Sequence, residues 1–151
     1  MLLFLDANVL FAAAYSAEGN ARAILHLAAL AGATVASSAF AVEEAARNLR
    51  LKAPTAESEF VNLIEKITLA GGPDRRALER AADHGLPEKD VPILGAAIAM
   101  RANILVTGDR HHFGPLFGKK VGDVEILPPA DTVVRLLARL ERPTGRRTPR
   151  E

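Results

Sequence analysis

The sequence contains no cysteine, which excludes disulfide bonds, thiol nucleophiles and zinc–thiolate sites. Its net charge is only +1 at pH 7, so it lacks a strong overall field that would attract nucleic acid. No apolar run approaches the ~18 residues that a membrane span requires. No basic segment precedes the first apolar residues, which argues against a signal peptide. From these absences we expect a cytoplasmic protein without a membrane partner.

The length and composition are typical of one globular domain. A chain of 151 residues buries roughly 68–70% of its unfolded surface, and 49% hydrophobic with 25% charged residues is an ordinary balance. We predict a single domain over residues 1–141 and a basic, disordered tail over residues 142–151. The arginines of this tail are Arg142, Arg146, Arg147 and Arg150. A solubilising tail is the first interpretation, and an arm that contacts phosphate groups is the second.

Short apolar runs alternate with longer segments of helical pattern. Strands are predicted over residues 2–5, 34–37, 104–107 and 124–127, and helices over residues 21–33, 39–51, 55–70, 74–83, 90–102 and 130–140. Residues 108–123 are predicted to be a glycine-rich loop. Strands separated by helices indicate a parallel sheet that is covered on both faces. The predicted fold class is α/β, a three-layer α/β/α sandwich with a central, mainly parallel sheet.

Two of the predicted strands end next to an aspartate. The first runs into Asp6, and the strand over residues 104–107 is followed by Gly108 and Asp109. Ligands of open α/β sheets bind outside the carboxyl ends of the strands, so both carboxylates lie where such folds do their chemistry. Asp90, at the start of a helix, could join them. Each also has a local explanation: Asp6 and Asp109 could be turn residues, and Asp90 could cap its helix.

A fourth acid comes from the pair Glu43 and Glu44, which helical geometry separates. At roughly 100° per residue, Glu43 shares the charged face of its helix with Arg47, an i,i+4 pair in the favoured orientation. Glu44 lies on a flank that it shares with apolar residues, where a carboxylate needs a partner or a cation. We therefore expect Glu44 to be functional and Glu43 to be a surface residue.

Several acids that converge repel one another unless a cation lies between them. Because the sequence has no cysteine and no spaced pair of histidines, the ligands would be hard oxygens, which favour Mg²⁺ or Mn²⁺. Such ions bind phosphates, orient an attacking water and neutralise charge at phosphorus. The chemistry that this pattern favours is metal-assisted hydrolysis of a phosphodiester.

The sequence resembles the PIN-domain ribonucleases, the family that includes the VapC-type toxins of prokaryotic toxin–antitoxin pairs. The matching segments, in the family's order, are Leu5-Asp6-Ala7-Asn8, Glu43-Glu44-Ala45-Ala46-Arg47-Asn48-Leu49, Lys89-Asp90-Val91-Pro92-Ile93-Leu94-Gly95-Ala96-Ala97 and Leu105-Val106-Thr107-Gly108-Asp109. They span nearly the whole predicted domain, and four weak motifs in order are fairly specific.

The resemblance implies a PIN-like fold and an Mg²⁺- or Mn²⁺-dependent endoribonuclease. Its acidic site would consist of Asp6, Glu44, Asp90 and Asp109. Asn8 and Thr107 match polar positions that in the family orient the acids and the metal-bound water. An RNA substrate, a homodimer and an antitoxin partner are further implications. The sequence departs from many members in lacking an additional acid near the third motif, where Lys89 precedes Asp90 and Val91 follows it. The number of metal ions is therefore left open.

Other chemistry receives less support from the residues. His111 and His112 are adjacent in the sequence, and adjacent side chains rarely point at the same centre. A surface or capping role is therefore favoured. Contact with a substrate phosphate ranks second, and a catalytic role ranks third. A haloacid-dehalogenase phosphatase would require a second aspartate two residues after Asp6, where Asn8 stands. Two alternatives to a ribonuclease remain: a weakly active or inactive PIN fold that binds RNA or protein, and a small-molecule phosphatase.

Overall fold

The computed structural model describes residues 1–142, which form six strands and seven α-helices. The strands are β1 (Leu2–Leu5), β2 (Thr34–Ser38), β3 (Thr68–Ala70), β4 (Ile104–Val106), β5 (Lys120–Val121) and β6 (Val124–Leu127). The helices are α1 (Ala7–Tyr15), α2 (Asn20–Leu30), α3 (Ala39–Lys52), α4 (Glu57–Ile64), α5 (Arg75–Ala82), α6 (Val91–Ala99) and α7 (Pro129–Glu141). Except for Arg142, the predicted basic tail lies outside the described residues.

The strands form one sheet in the order β3-β2-β1-β4-β6-β5, in which only β5 is antiparallel to its neighbour. The chain moves from β1 to β3 in one direction along the sheet and returns from β3 to β4 in the other. Right-handed crossovers therefore place α1 to α4 on one face and α5 and α6 on the opposite face. Helix α7 packs on α2 and joins the first group. The predicted α/β/α sandwich with a mainly parallel sheet is confirmed.

The two central strands form the middle of the core. All of Leu3, Phe4, Leu5 and residues 104–106 are buried, as expected for parallel strands that are covered on both faces. A buried Ser37 on β2 donates its hydroxyl hydrogen to the Leu5 carbonyl oxygen at 2.7 Å. Within residues 1–142 no helix is long and apolar enough to cross a membrane.

The fold differs from the predicted elements in several places, and the predicted loop over residues 108–123 contains strand β5. Helix α1 was not predicted, because buried and exposed positions along it are almost all apolar and its helical period is hidden. Residues 68–70, predicted as the end of a helix, form strand β3, which pairs with the exposed edge of β2. Tertiary pairing outweighs local propensity here. Helix α6 ends three residues early because Arg101 adopts a left-handed φ of 56°.

Phe113 anchors the loop that follows β4. Its side chain is completely buried, and it lies directly after residues 109–112 of the candidate site. Removal of a buried phenylalanine ring leaves a cavity that the core cannot fill. We therefore expect Phe113→Ala to lower the free energy of unfolding by about 3–5 kcal/mol, measured by urea denaturation. Phe40→Ala, at a half-exposed ring, is the control and should change it far less. Equal effects of the two substitutions would contradict this anchoring role.

Candidate metal centre

Asp6 lies at the switch point of the sheet, between β1 and β4, from which the chain departs in opposite directions. Its backbone N–H donates to the Val106 carbonyl at 3.0 Å, which places the ends of the two strands side by side. Its side chain caps α1: Oδ1 accepts from the Ala7 N–H at 2.7 Å. The carboxylate is buried and lies at the site where open α/β sheets bind their ligands.

Asn8 and Thr107 fix the second oxygen of Asp6. Thr107 Oγ1 donates to Asp6 Oδ2 at 2.8 Å, and Asn8 Nδ2 donates to the same oxygen at 3.1 Å. Asn8 Oδ1 in turn accepts from the Gly108 N–H at 2.7 Å. A Cβ at position 108 would lie 3.2 Å from Asn8 Oδ1, so glycine permits this close approach. These two polar residues hold the Asp6 carboxylate and link the start of α1 to the loop after β4.

The four predicted acids line one cavity of about 190 Å³. Glu44 is half-buried and faces this cavity, whereas Glu43 is exposed and does not line it. Helix α3 begins directly after Ser38, whose Oγ caps it by accepting from the Ala41 N–H at 3.1 Å. The complete lining is Asp6, Ala7, Asn8, Phe11, Glu44, Asn48, Lys52, Lys89, Asp90 and Asp109.

Asp90 carries a buried oxygen that has no hydrogen-bond partner within residues 1–142. This atom is Oδ2, and the side chain makes no capping bond to α6, which begins at the next residue. Burial raises the pKa of Asp90, and the charges of Asp109 and Glu44 raise it further, against the opposing effects of Lys89 and His112. A buried carboxylate oxygen without a donor is costly unless a cation satisfies it.

His112 holds Asp109 in place. The backbone N–H of His112 donates to Asp109 Oδ1 at 3.0 Å, and its Nδ1 lies 2.7 Å from Asp109 Oδ2. An ionised carboxylate only accepts, so Nδ1 carries the hydrogen. Although burial alone would raise the pKa of Asp109, these bonds from His112 lower it below the usual value. From the sequence, a surface or capping role was predicted for His112. The i,i+3 spacing of Asp109 and His112 is the pattern that could have indicated their contact.

Two of the four acids, Asp90 and Asp109, lie close together with His112, and the other two lie farther away along the cavity wall. Ligand atoms of Asp90, Asp109 and His112 lie within 4.8 Å of one another, which is compatible with a shared metal ion. Asp6 and Glu44 line the same cavity but lie outside this closer group. Burial raises the pKa of Asp6, and the negative charges of Asp90 and Glu44 add to that effect. Asp90 Oδ2 has a neighbour that can be cationic, the His112 ring, whose Nδ1 lies 3.5 Å away and forms no hydrogen bond to it. Carboxylate oxygens that repel one another around this atom fit a divalent cation.

A larger cavity, of about 730 Å³, lies at the opposite edge of the sheet, where β2 begins. It is lined mainly by α2 and α4 and contains one carboxylate, Glu59, which pairs with Arg22 at 3.2 Å. Volume alone would favour this cavity. The chemistry favours the smaller one, because four carboxylates line it and only one lines the larger cavity.

The sheet order and the acids at its switch point define an α/β protein with a candidate metal centre. Residues 3–111 match the family model for the PIN domain. The chain belongs to the PIN-domain family, and this membership supports a nuclease that hydrolyses nucleic acid. Comparison with curated proteins finds no match.

Solved structures share the fold at low sequence identity. VapBC2 from Rickettsia felis, solved with a DNA fragment from its promoter, is similar with a TM-score of 0.65 and 16% identity over 85% of this chain and 98% of that chain. PAE2754 from Pyrobaculum aerophilum is similar with a TM-score of 0.64 and 22% identity over 91% of this chain and 99% of that chain. FitAcB from Neisseria gonorrhoeae is similar with a TM-score of 0.54 and 20% identity over 86% of this chain and 99% of that chain. At these identities the comparisons show the fold.

The raised pKa of Asp90 predicts how its charge affects stability. The unfolded chain releases this proton near the usual pKa of 3.8, whereas the native state holds it to higher pH. The protonated Asp90 therefore contributes to the free energy of unfolding in full below pH 3.8, and this contribution is lost as the pH rises through the native pKa of Asp90. We expect Asp90→Asn to raise the free energy of unfolding at neutral pH in EDTA, with a gain that shrinks in acid.

The matched control for this measurement is Asp74→Asn. Asp74 is exposed and caps α5 through a bond from the Ala77 N–H, and asparagine caps helices equally well. Denaturation in EDTA at a series of pH values should therefore show little change for this variant. A destabilised Asp90→Asn protein at neutral pH would show that the charge of Asp90 is not held at a cost.

Proposed function

We propose that the protein is a divalent-metal-dependent endoribonuclease that hydrolyses RNA phosphodiester bonds. The observation that carries the proposal is the convergence of four carboxylates on one cavity, where Oδ2 of Asp90 is buried without a hydrogen-bond donor. A purely structural aspartate at the start of a helix would be satisfied by a capping bond, and Asp90 makes none to α6. Membership of the PIN-domain family supports the same conclusion independently.

Asp6, Glu44, Asp90 and Asp109 would hold Mg²⁺ or Mn²⁺. When bound, the ion would neutralise charge at the phosphoryl oxygens and lower the pKa of an attacking water. The protein contributes ionised ligands in fixed positions. His112 keeps Asp109 ionised by donating to both of its oxygens, and Thr107 and Asn8 hold Asp6 Oδ2 toward the ends of the strands.

Two lysines give the acidic cavity a cationic rim. Lys52 and Lys89 line the cavity, are exposed, and form no ion pair with another residue of 1–142. Free ammonium groups beside a cluster of acids suit a ligand that is itself anionic. Contacts of this kind position the phosphate backbone of a nucleic acid and do not distinguish its bases.

We further propose that the protein is the toxin of a toxin–antitoxin pair. The fold relatives include VapBC2 and FitAcB, and the sequence resembles the VapC-type toxins. These similarities support a cytoplasmic toxin that forms a homodimer and is held by an antitoxin protein. The neighbouring reading frame tests this part: a short gene with a DNA-binding pattern and a hydrophobic tail would support it.

Adjacent glutamates offer a matched test of the nuclease. We expect Glu44→Gln to reduce Mn²⁺-dependent cleavage of RNA by about 10- to 100-fold, because it replaces an anionic ligand of the ion with a neutral amide. Glu43→Gln makes the same chemical change one residue away, on the exposed side of α3, and should leave the rate unchanged. Asp6→Asn and Asp109→Asn should behave as Glu44→Gln does. The rates are measured on a labelled RNA by gel.

The outcomes of this test separate the alternatives. Equal activity of Glu43→Gln and Glu44→Gln proteins, after removal of contaminating nuclease, would refute the assigned site. Hydrolysis of p-nitrophenyl phosphate with none of RNA would indicate a small-molecule phosphatase. RNA binding without cleavage would indicate a PIN fold that serves as a binding module, in agreement with the acid that is absent beside Asp90.

Metal binding has its own readout in thermal stability. An ion that binds only the native state stabilises it, by about 2.7 kcal/mol at 100 times its dissociation constant. We expect millimolar Mn²⁺ to raise the Tm of the wild-type protein by several degrees. The Asp90→Asn protein has a neutral amide in place of one anionic ligand and should show a much smaller rise. An unchanged wild-type Tm at millimolar Mn²⁺ would contradict the metal site.

A further inference from the structure

The acidic cavity continues as a groove along α1. It shares Asn8 and Asp109 with a neighbouring depression of about 350 Å³. That depression in turn shares Ala12, Gly108 and Pro129 with a third, of about 340 Å³. The third depression is also lined by Tyr15 and Arg110. We call this third depression the distal pocket. The acids and the distal pocket are therefore two ends of one continuous surface.

An aromatic pair connects the two ends of the groove. Asn8, Phe11, Ala12 and Tyr15 have i, i+3, i+4 and i+7 spacing, so they form one stripe on the outer face of α1. Phe11 lines the acidic cavity and Tyr15 lines the distal pocket. Their rings stack with centroids 5.8 Å apart and planes at 17°. Seven residues of helix place Tyr15 roughly 10 Å from Asn8.

Tyr15 is unusual among the chain's aromatic residues. It is the single tyrosine of the sequence, in a chain with only 5% aromatic residues, and its side chain is 66% exposed. Stacking on Phe11 holds the ring in a fixed orientation, so a second planar group could bind it without a large loss of side-chain entropy. Nucleic acid bases stack on such rings with little dependence on sequence.

Positive charge lies at both ends of the groove. Lys52 and Lys89 border the acids, and Arg110 borders the distal pocket. All three side chains are exposed, and none forms an ion pair in the described part of the chain. A ligand that carries phosphates along its length and planar groups between them matches this distribution of cations and rings.

We propose that Tyr15 and Arg110 form a nucleotide-binding subsite of the ribonuclease, in which a base stacks on Tyr15 and a nearby phosphate pairs with Arg110. The assignment rests on the proposed function, because it takes RNA as the ligand of the groove. Bases within a duplex stack on one another and cannot reach Tyr15. The subsite therefore selects an unpaired nucleotide a short distance along the strand from the acids, and it contributes affinity with little sequence preference.

Binding without cleavage tests the subsite directly. Affinity for a labelled single-stranded oligouridine about 12 nucleotides long is measured by fluorescence anisotropy in EDTA and, with the Asp109→Asn protein, in Mg²⁺. We expect Tyr15→Ala to weaken binding by about 5- to 150-fold, the effect of losing one stacked base. The Tyr15→Phe protein retains an aromatic ring and should bind the oligonucleotide as tightly as the wild-type protein does. A duplex of the same length should show no effect of Tyr15→Ala.

The arginine is tested by salt dependence. Loss of one phosphate contact on a single strand should reduce the slope of log affinity against log salt by about 0.7, and we expect this of Arg110→Ala. Arg76→Ala removes an exposed arginine of α5, on the other face of the sheet, and should leave the slope unchanged. Equal slopes for the two variants would overturn the role of Arg110.

Cleavage kinetics separate a failure of the subsite from a failure of the proposed function. On the long substrate Tyr15→Ala should raise KM and leave kcat unchanged, whereas a dinucleotide, which cannot extend to Tyr15, should be cleaved equally by both proteins. Cleavage by the wild-type protein with no effect of Tyr15→Ala on KM or binding overturns the subsite alone. Tyr15-dependent binding without any cleavage overturns the nuclease and retains the subsite. Absence of single-strand binding under both conditions overturns the subsite.

Discussion

The hydrogen bond from Thr107 Oγ1 to Asp6 Oδ2 is the interaction on which the rest of the site depends. It joins the ends of β1 and β4, which are neighbours in the sheet although 101 residues separate them in the chain. Asp6 also caps α1, so one carboxylate determines both where the strand ends and how the helix leaves it. Without these donors Asp6 would be a buried and unsatisfied acceptor, at a cost of about 1–3 kcal/mol or more for a charged group.

The acids differ in how the protein holds their charge. Burial raises the pKa values of Asp6 and Asp90, so their ionisation works against folding, whereas hydrogen bonds from His112 outweigh burial at Asp109 and lower its pKa. A site that opposes folding persists only where the rest of the chain supplies enough stability. The completely buried strands β1 and β4 supply it beside the acids. A bound cation would turn the same repulsion into attraction, which couples metal binding to stability.

The parts of this molecule that the sequence predicts are those set by local chemistry. The apolar runs of β1, β4 and β6 and the serine cap of α3 were sufficient to place those elements. The meeting of Asp6 and Asp109 followed from one general rule, that parallel strands end at the same edge of a sheet. Separation of Glu44 from Glu43 needed only the helical period. The edge strand β3 and the ring of His112 depend on distant partners, which no local pattern shows.

Helix α1 illustrates the limit of local prediction most clearly. Val9, Leu10, Ala13 and Ala14 are buried, and Phe11 and Ala12 are also apolar, so no polar face marks the helix. The same composition places the stacked aromatic pair Phe11 and Tyr15 on the outer stripe of α1. A solvent-facing stripe is normally polar, and an aromatic pair there exposes apolar surface that water does not favour. The stripe begins at Asn8, which holds Asp6, and ends at Tyr15, so an extended ligand that follows this groove from the acids would pass over it.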